Sequence, residues 1–543
     1  MKLIYVFFSA AILAACQSTN HADLVVYNAT IYTVDSNFSR AEAMAISDGK
    51  IVATGTSDDI RKKYKADESL DAGGKFIYPG LIDAHAHFLS YGLGLQTANL
   101  TGTESWEEIL EKLKAFANEN PTGWVVGNGW DQNDWAVKTF PDNKKLDELF
   151  PDRPVVLSRI DGHASIANTT ALNLAGIKPG DHISGGDIET KNGELTGILI
   201  DNAMSLVDGK IPQPDVKTLT RALMDAQQNC FAAGLTTIDD CGLDYAAALL
   251  MDSLQKRDEL KMRMFVMLSD SKRNYDFLFG NGKIKTDRLH VNAFKVYADG
   301  ALGSRGACLL QPYSDQPGWY GFLLSPASHF DSVANIIYKN GFQMCTHAIG
   351  DSGNRVILNT YAKYLNGPND RRWRIEHAQV VNQNDFHLFG ANSIIPSVQP
   401  THGTSDMYWA ADRLGNERVK GAYAFKQLFN ENKWIPLGTD FPVEDISPMK
   451  TFYAAVFRKD AKGWPANGYQ TENALTREEA IRGMTIWAAK SNFEEHEKGS
   501  LEKGKFADFI ILDRDLMQAP EKDILGTKVL MTYVNGEKVF ASQ

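Results

Sequence analysis

Eight short runs rich in β-branched and aromatic residues, each reaching a polar residue near its end, restrict this chain to few folds. They lie at residues 76–82, 235–239, 263–269, 292–297, 342–346, 374–376, 393–399 and 434–438. Helix-like segments separate most of them. Residues 216–233 form one, stopped by Gly234, and the capping box Thr476-Arg477-Glu478-Glu479 opens another over 477–490. Strand and helix in eightfold alternation predict an α/β fold, a (β/α)8 TIM-like barrel with functional groups at its C-terminal strand ends.

A chain of 543 residues holds more than that barrel. About 150 residues separate the first two runs, too many for a loop. Ser105–Glu108 reads as a capping box, and Trp106, Ile109, Leu110, Leu113 and Phe116 share one helical face. Residues 124–126 and 155–160 are strand-like. Residues 98–214 are therefore predicted to be an inserted lid subdomain, leaving the barrel at its catalytic face. At the ends, 23–35 is strand-like, and 43–46 and 50–54 flank the hairpin turn Asp48-Gly49. Residues 508–512 and 532–540 are again strand-like, with Asn535-Gly536 as a turn. A small composite β-sandwich domain assembled from 23–75 and 491–543 follows, flanking a barrel over 76–490.

Residues 1–15 stand apart, with Lys2 followed by a short apolar run that suits a signal peptide better than a membrane span. Leu13-Ala14-Ala15-Cys16 resembles the bacterial lipobox, which implies lipidation of Cys16, with 16–22 as a tether. No aspartate follows Cys16, so the resemblance implies a cell-envelope protein on the outer membrane facing the periplasm. A plain secretory signal is the other reading. The net charge of −11 leaves no basic stripe for nucleic acid, so the lipid anchor is the only membrane contact expected. Homo-oligomerisation stays open. Cys230, Cys241, Cys308 and Cys345 lack CxxC spacing and are expected to be mostly buried free thiols.

The chemistry gathers at the strand ends. In FIYPGLIDAHAHF (residues 76–88), His85 and His87 stand two apart, so an extended strand turns both imidazoles to one face. Lys295 lies in NAFKVYADG, His347 in FQMCTHAIGD, His377 in RIEHAQ and Asp440 in IPLGTDFPVE. Four of the 12 histidines at strand ends, joined by a carboxylate, are hard to produce by accident. Imidazole and carboxylate suit a divalent ion, zinc first, with manganese or iron as alternatives.

PGLIDAHAHF also resembles the first-strand signature of the amidohydrolase superfamily, and GSLEKGKFADFIILD (499–513) its C-terminal signature. GWDQNDW (129–135), DGHASIANTTAL (161–172), GILIDNA (197–203), DGALGSRGA (299–307) and VQPTH (398–402) look like the branch containing N-substituted formamide deformylases. The resemblance implies a binuclear site held by His85, His87, Lys295, His347, His377 and Asp440. Lys295 would carry a CO2-derived carbamate bridging two divalent ions; its alternatives are an ion pair with Asp299 or a substrate contact. Trp130, Asp131, His163, Arg305 and His402 become candidate pocket residues, although Trp130 could instead pack the insert and Arg305 could pair with an acid.

These residues imply a hydrolase that cleaves a C–N bond of a small amide, N-formyl compound or cyclic amide. A bound divalent ion lowers the pKa of its water to roughly 7. Asp440 is the expected general base, returning the proton to the leaving amine. A deaminase of the same superfamily is the first alternative, but that class usually lacks the strand-four lysine. A non-catalytic metal- or solute-binding surface lipoprotein is the second, and it would show a broken constellation. Trp106, Trp124, Trp130 and Trp135 crowd the insert, which favours an apolar pocket and makes Trp130 the candidate contact for an aryl substrate.

Overall fold

The computed structural model describes residues 20–542; the expected signal peptide, Cys16 and the start of the tether lie outside them. Seven parallel strands form the barrel wall: β1 (Leu81–Ala86), β2 (Leu235–Leu243), β3 (Arg263–Ser269), β4 (Leu289–Tyr297), β5 (Gln343–Ala348), β6 (Arg374–His377) and β7 (Ile395–Ser397). Each pairs with the next in sequence. The eighth run is not a regular strand. It closes the barrel through single contacts, a parallel bridge from Val398 to Leu437 and an Ala84 N–H donating to the Leu437 carbonyl at 3.2 Å.

The first run divides as well. Phe76–Pro79 pairs with Phe509–Leu512 and Thr30–Tyr32, whereas Leu81–Ala86 enters the barrel. Gly80 makes the break, because a Cβ there would lie 2.3 Å from Thr236 Oγ1. Its N–H donates to the Asp508 carbonyl at 2.8 Å, which ties the crossover to the C-terminal strands. One six-stranded sheet thus mixes strands from both ends of the chain, and a four-stranded sheet of N-terminal strands accompanies it.

Helices wrap the barrel, and its main core lies between them and the strands. Val216–Ala232 carries Asp215 as its cap, and its buried Ala222, Leu223, Ala226, Cys230 and Phe231 recur at helical spacing. The capping box at Thr476 is present, but the helix it opens stops at Gly483 and a second begins at Ile486. Residues 98–201 carry a separate six-stranded sheet whose core contains Trp106, Trp130, Trp135, Leu146, Val155 and Leu157. The four cysteines are free thiols, with Cys230, Cys241 and Cys345 buried and Cys308 half-buried.

Candidate metal centre

His85 lies near the end of β1, and His87 follows it at the entry to the helix Phe88–Gly94. Two acids fix this turn. Asp240 on β2 accepts from the Phe88 and Leu89 amides at 3.1 and 3.2 Å. Asp83 accepts from the His85 amide, the Thr439 amide and the Thr439 hydroxyl at 3.2, 2.9 and 2.6 Å, fastening β1 to the eighth run. The Asp440 amide then donates to the His85 carbonyl at 2.8 Å.

The imidazoles are oriented from behind. His85 Nδ1 donates to Glu376 Oε2 at 2.5 Å, His87 Nδ1 to the Cys241 carbonyl at 3.0 Å, and His377 Nδ1 to Gln399 Oε1 at 2.7 Å. With Nδ1 occupied in all three rings, Nε2 is the nitrogen left to coordinate. One ligand atom each from His85, His377 and Asp440 lies within 4.8 Å of the others. His87 Nε2 is 3.2 Å from Asp440 Oδ1, and His402 Nε2 is 3.5 Å from Asp440 Oδ2. The His347 ring centre lies 4.7 Å from that of His377, and Lys295 Nζ lies 3.1 Å from His85 Nε2. Asp440 Oδ1 and His402 Nε2 are buried with no hydrogen-bond partner. An orphaned buried polar atom costs about 1–3 kcal/mol, and a cation between nitrogen and carboxylate donors removes that penalty. These residues fit a divalent metal.

The electrostatics agree. Burial, then the Lys295 charge, holds the His85 imidazole down to about 4. Burial and neighbouring cationic groups keep His347 and His377 well below the usual range, so these rings are neutral, the ligating form. Burial opposes ionisation of Asp440, but its contacts with the surrounding His85, His87 and His377 rings, the His87 hydrogen bond among them, hold its carboxyl well below the usual carboxylate range. Glu376 is likewise held at about 2, against burial, by Arg374 and His85. Arg374 reaches on to Asp239 at 2.8 Å, giving a buried network beneath the histidines. Both His377 (φ 71°) and Asp440 (φ 64°) adopt left-handed backbone, strain of a kind that collects at functional sites.

The six expected ligand residues therefore meet at one end of the barrel. Lys295 is fully buried, and among the described residues it makes no ion pair. The expected alternative of a pair with Asp299 fails, since that carboxylate accepts from the amides of Cys308, Ile349 and Gly350 at 2.8, 3.0 and 2.8 Å. Two pocket candidates join the cluster. The His402 ring stacks on His377 at 5.7 Å, and the His163 ring lies 4.9 Å from His347.

The other three do not join it. Trp130 has no exposed surface, donates its indole N–H to the Leu157 carbonyl at 2.8 Å and packs in the insert's core, so it cannot touch an aryl substrate. Asp131 caps the turn at Asn133 and pairs with buried Arg159. Arg305 pairs with Asp315 at 2.8 Å. Sequence reasoning passed over Glu376, Gln399 and Asp201. The signal for Glu376 was present: Arg374 and Glu376 alternate within an otherwise buried strand, and charges there require partners.

Residues 68–540 match the family described as Amidohydrolase family. The chain is 34% identical to Protein LONG AFTER FAR-RED 3 of Arabidopsis thaliana, over 96% of this chain and 92% of that one. It is 26% identical to the N-substituted formamide deformylase of Arthrobacter pascens, over 95% and 98%. Among solved structures, an uncharacterised metal-dependent hydrolase from Pyrococcus horikoshii superposes with a TM-score of 0.76 at 28% identity, over 92% of this chain and 99% of that one.

Proposed function

Because the chain belongs to the amidohydrolase family, we propose that it is a metal-dependent hydrolase that cleaves the C–N bond of a small amide, N-formyl compound or cyclic amide. One observation carries the reading: three imidazoles, each with Nδ1 occupied, share their site with an ionised carboxylate whose Oδ1 has no partner. His85, His87, His347, His377 and Asp440 would hold the metal, and Lys295, as a carbamate, would complete a two-ion site. The metal, when bound, activates water and polarises the scissile carbonyl.

The protein's own part is positional and acid–base. Asp440 Oδ1 orients the attacking water and accepts its proton as the new C–O bond forms. As the C–N bond breaks, Asp440 returns that proton to the leaving nitrogen, so the carboxylate is regenerated. Glu376, fixed by Arg374, keeps His85 from turning. The formamide deformylase among the relatives supports N-formyl amides as the first substrates to try. Zinc-loaded protein assayed against N-formyl, N-acyl and cyclic amides should hydrolyse at least one class, with loss of activity on chelation. Turnover indifferent to a chelator would contradict the proposal.

A further inference from the structure

His163 lies outside the barrel sequence, in the turn between the insert strands Val155–Arg159 and Ala164–Ala167, yet its ring reaches His347. Asp201, at the end of the insert strand Glu194–Asp201, holds it twice. The Asp201 amide donates to the His163 carbonyl at 3.1 Å, and His163 Nδ1 donates to Asp201 Oδ1 at 2.6 Å. The Asp201 side chain is fully buried, its φ of 51° is left-handed, and its Oδ2 has no partner. Barrel glycines leave room for that carboxylate. A Cβ on Gly300 would stand 2.3 Å from Asp201 Oδ2, and one on Gly306 only 2.2 Å.

A simple latch between insert and barrel would not need this arrangement. A buried carboxylate with one orphaned oxygen on a strained backbone destabilises the fold, and apolar packing of equal volume would join the two parts better. What the arrangement yields is an imidazole fixed in direction. With Nδ1 occupied, Nε2 is the ring's free nitrogen, and the side chain keeps 14% of its surface beside the metal ligands.

We propose that His163 is a catalytic residue supplied to the barrel's site by the insert, its Nε2 hydrogen-bonding the amide group of the substrate, with Asp201 as its positioning residue. The inference rests on the hydrolase reading given above. The insert is then part of the active site as well as its cover, and GILIDNA, DGHAS and DGALGSRGA become one device: the carboxylate, the imidazole it aims, and the glycines that admit it.

Three variants test it: His163→Ala, Asp201→Asn and Gly300→Ala, the last displacing Asp201 without touching His163. In metal-free protein, the Nδ1 proton of His163 should give a low-field NMR resonance that all three variants lose. In zinc-loaded protein, acetohydroxamate should bind about tenfold more weakly to His163→Ala at unchanged zinc content, the worth of one hydrogen bond. On an amide substrate, His163→Ala should lose about 10²-fold in kcat with little change in KM, and added imidazole should restore part of it. A protein that hydrolyses amides while His163→Ala keeps its kcat and hydroxamate affinity overturns the proposal and leaves the hydrolase reading intact. A protein that hydrolyses none of the amides, yet loses hydroxamate affinity with His163→Ala, fails as an amide hydrolase and retains His163 as a ligand contact.

Discussion

In the proposed mechanism, Asp440 and Glu376 divide the work of the site between proton transfer and orientation. Asp440→Asn keeps an oxygen that can coordinate but cannot accept the water proton. We expect most metal to be retained and kcat to fall about 10²-fold or more, measured by elemental analysis and turnover on one sample. Wild-type turnover would place the base elsewhere. Glu376→Gln instead weakens the grip on His85 Nδ1, so metal affinity should fall about 10- to 100-fold, read by competition with a chelator. Trp130 makes the opposite case. Its indole fills the insert's core, so Trp130→Ala should destabilise the protein by about 3–5 kcal/mol in denaturant unfolding and leave KM of the folded enzyme unmoved. A change in KM at unaltered stability would return Trp130 to the pocket.

The elements that carry these residues depend on a few close approaches. The helix Phe88–Gly94, which His87 opens, lies against Val216–Ala232 so tightly that a Cβ on Gly92 would stand 2.1 Å from the Ala222 carbonyl oxygen. Gly92→Ala should therefore destabilise by about 1–3 kcal/mol, whereas Gly94→Ala, with open space around its Cβ position, should be nearly neutral or stabilising. Equal midpoints for the two in urea would show that the helices can part at little cost.

Alternation of strand and helix was legible because each barrel strand is buried on both faces and each covering helix on one. The meeting of six ligand-competent side chains was legible because all lie at or just past strand ends. The division of the first run at Gly80 was not, since Phe76–Ile82 is apolar throughout and only the Thr236 contact reveals the crossover. The eighth run is held by bridges to Val398 and Ala84 in place of a ladder, which no local pattern encodes. Trp130 was misplaced because glycine and aspartate beside it look like a loop, although it closes the buried strand Val125–Trp130.

At the scale of the whole molecule, the two ends of the chain build one sheet, and the insert reaches back to the barrel through His163 and Asp201. The lipid anchor proposed at Cys16 would tether this assembly to the envelope. Cys16→Ser should abolish incorporation of labelled fatty acid and release the protein from the membrane fraction; a wild-type protein that takes up no label would leave a plain secretory signal, and label retained in the variant would place the attachment elsewhere. The central claim, amide hydrolysis by a two-metal site on this chain, is tested most directly by titrating zinc into metal-free protein while following hydrolysis of an N-formyl amide. We expect no turnover at the start, activity that rises with added zinc and levels off near two ions per chain, and a lower metal capacity in Lys295→Ala. Turnover already present without metal, or saturation at one ion unchanged by Lys295→Ala, would contradict it.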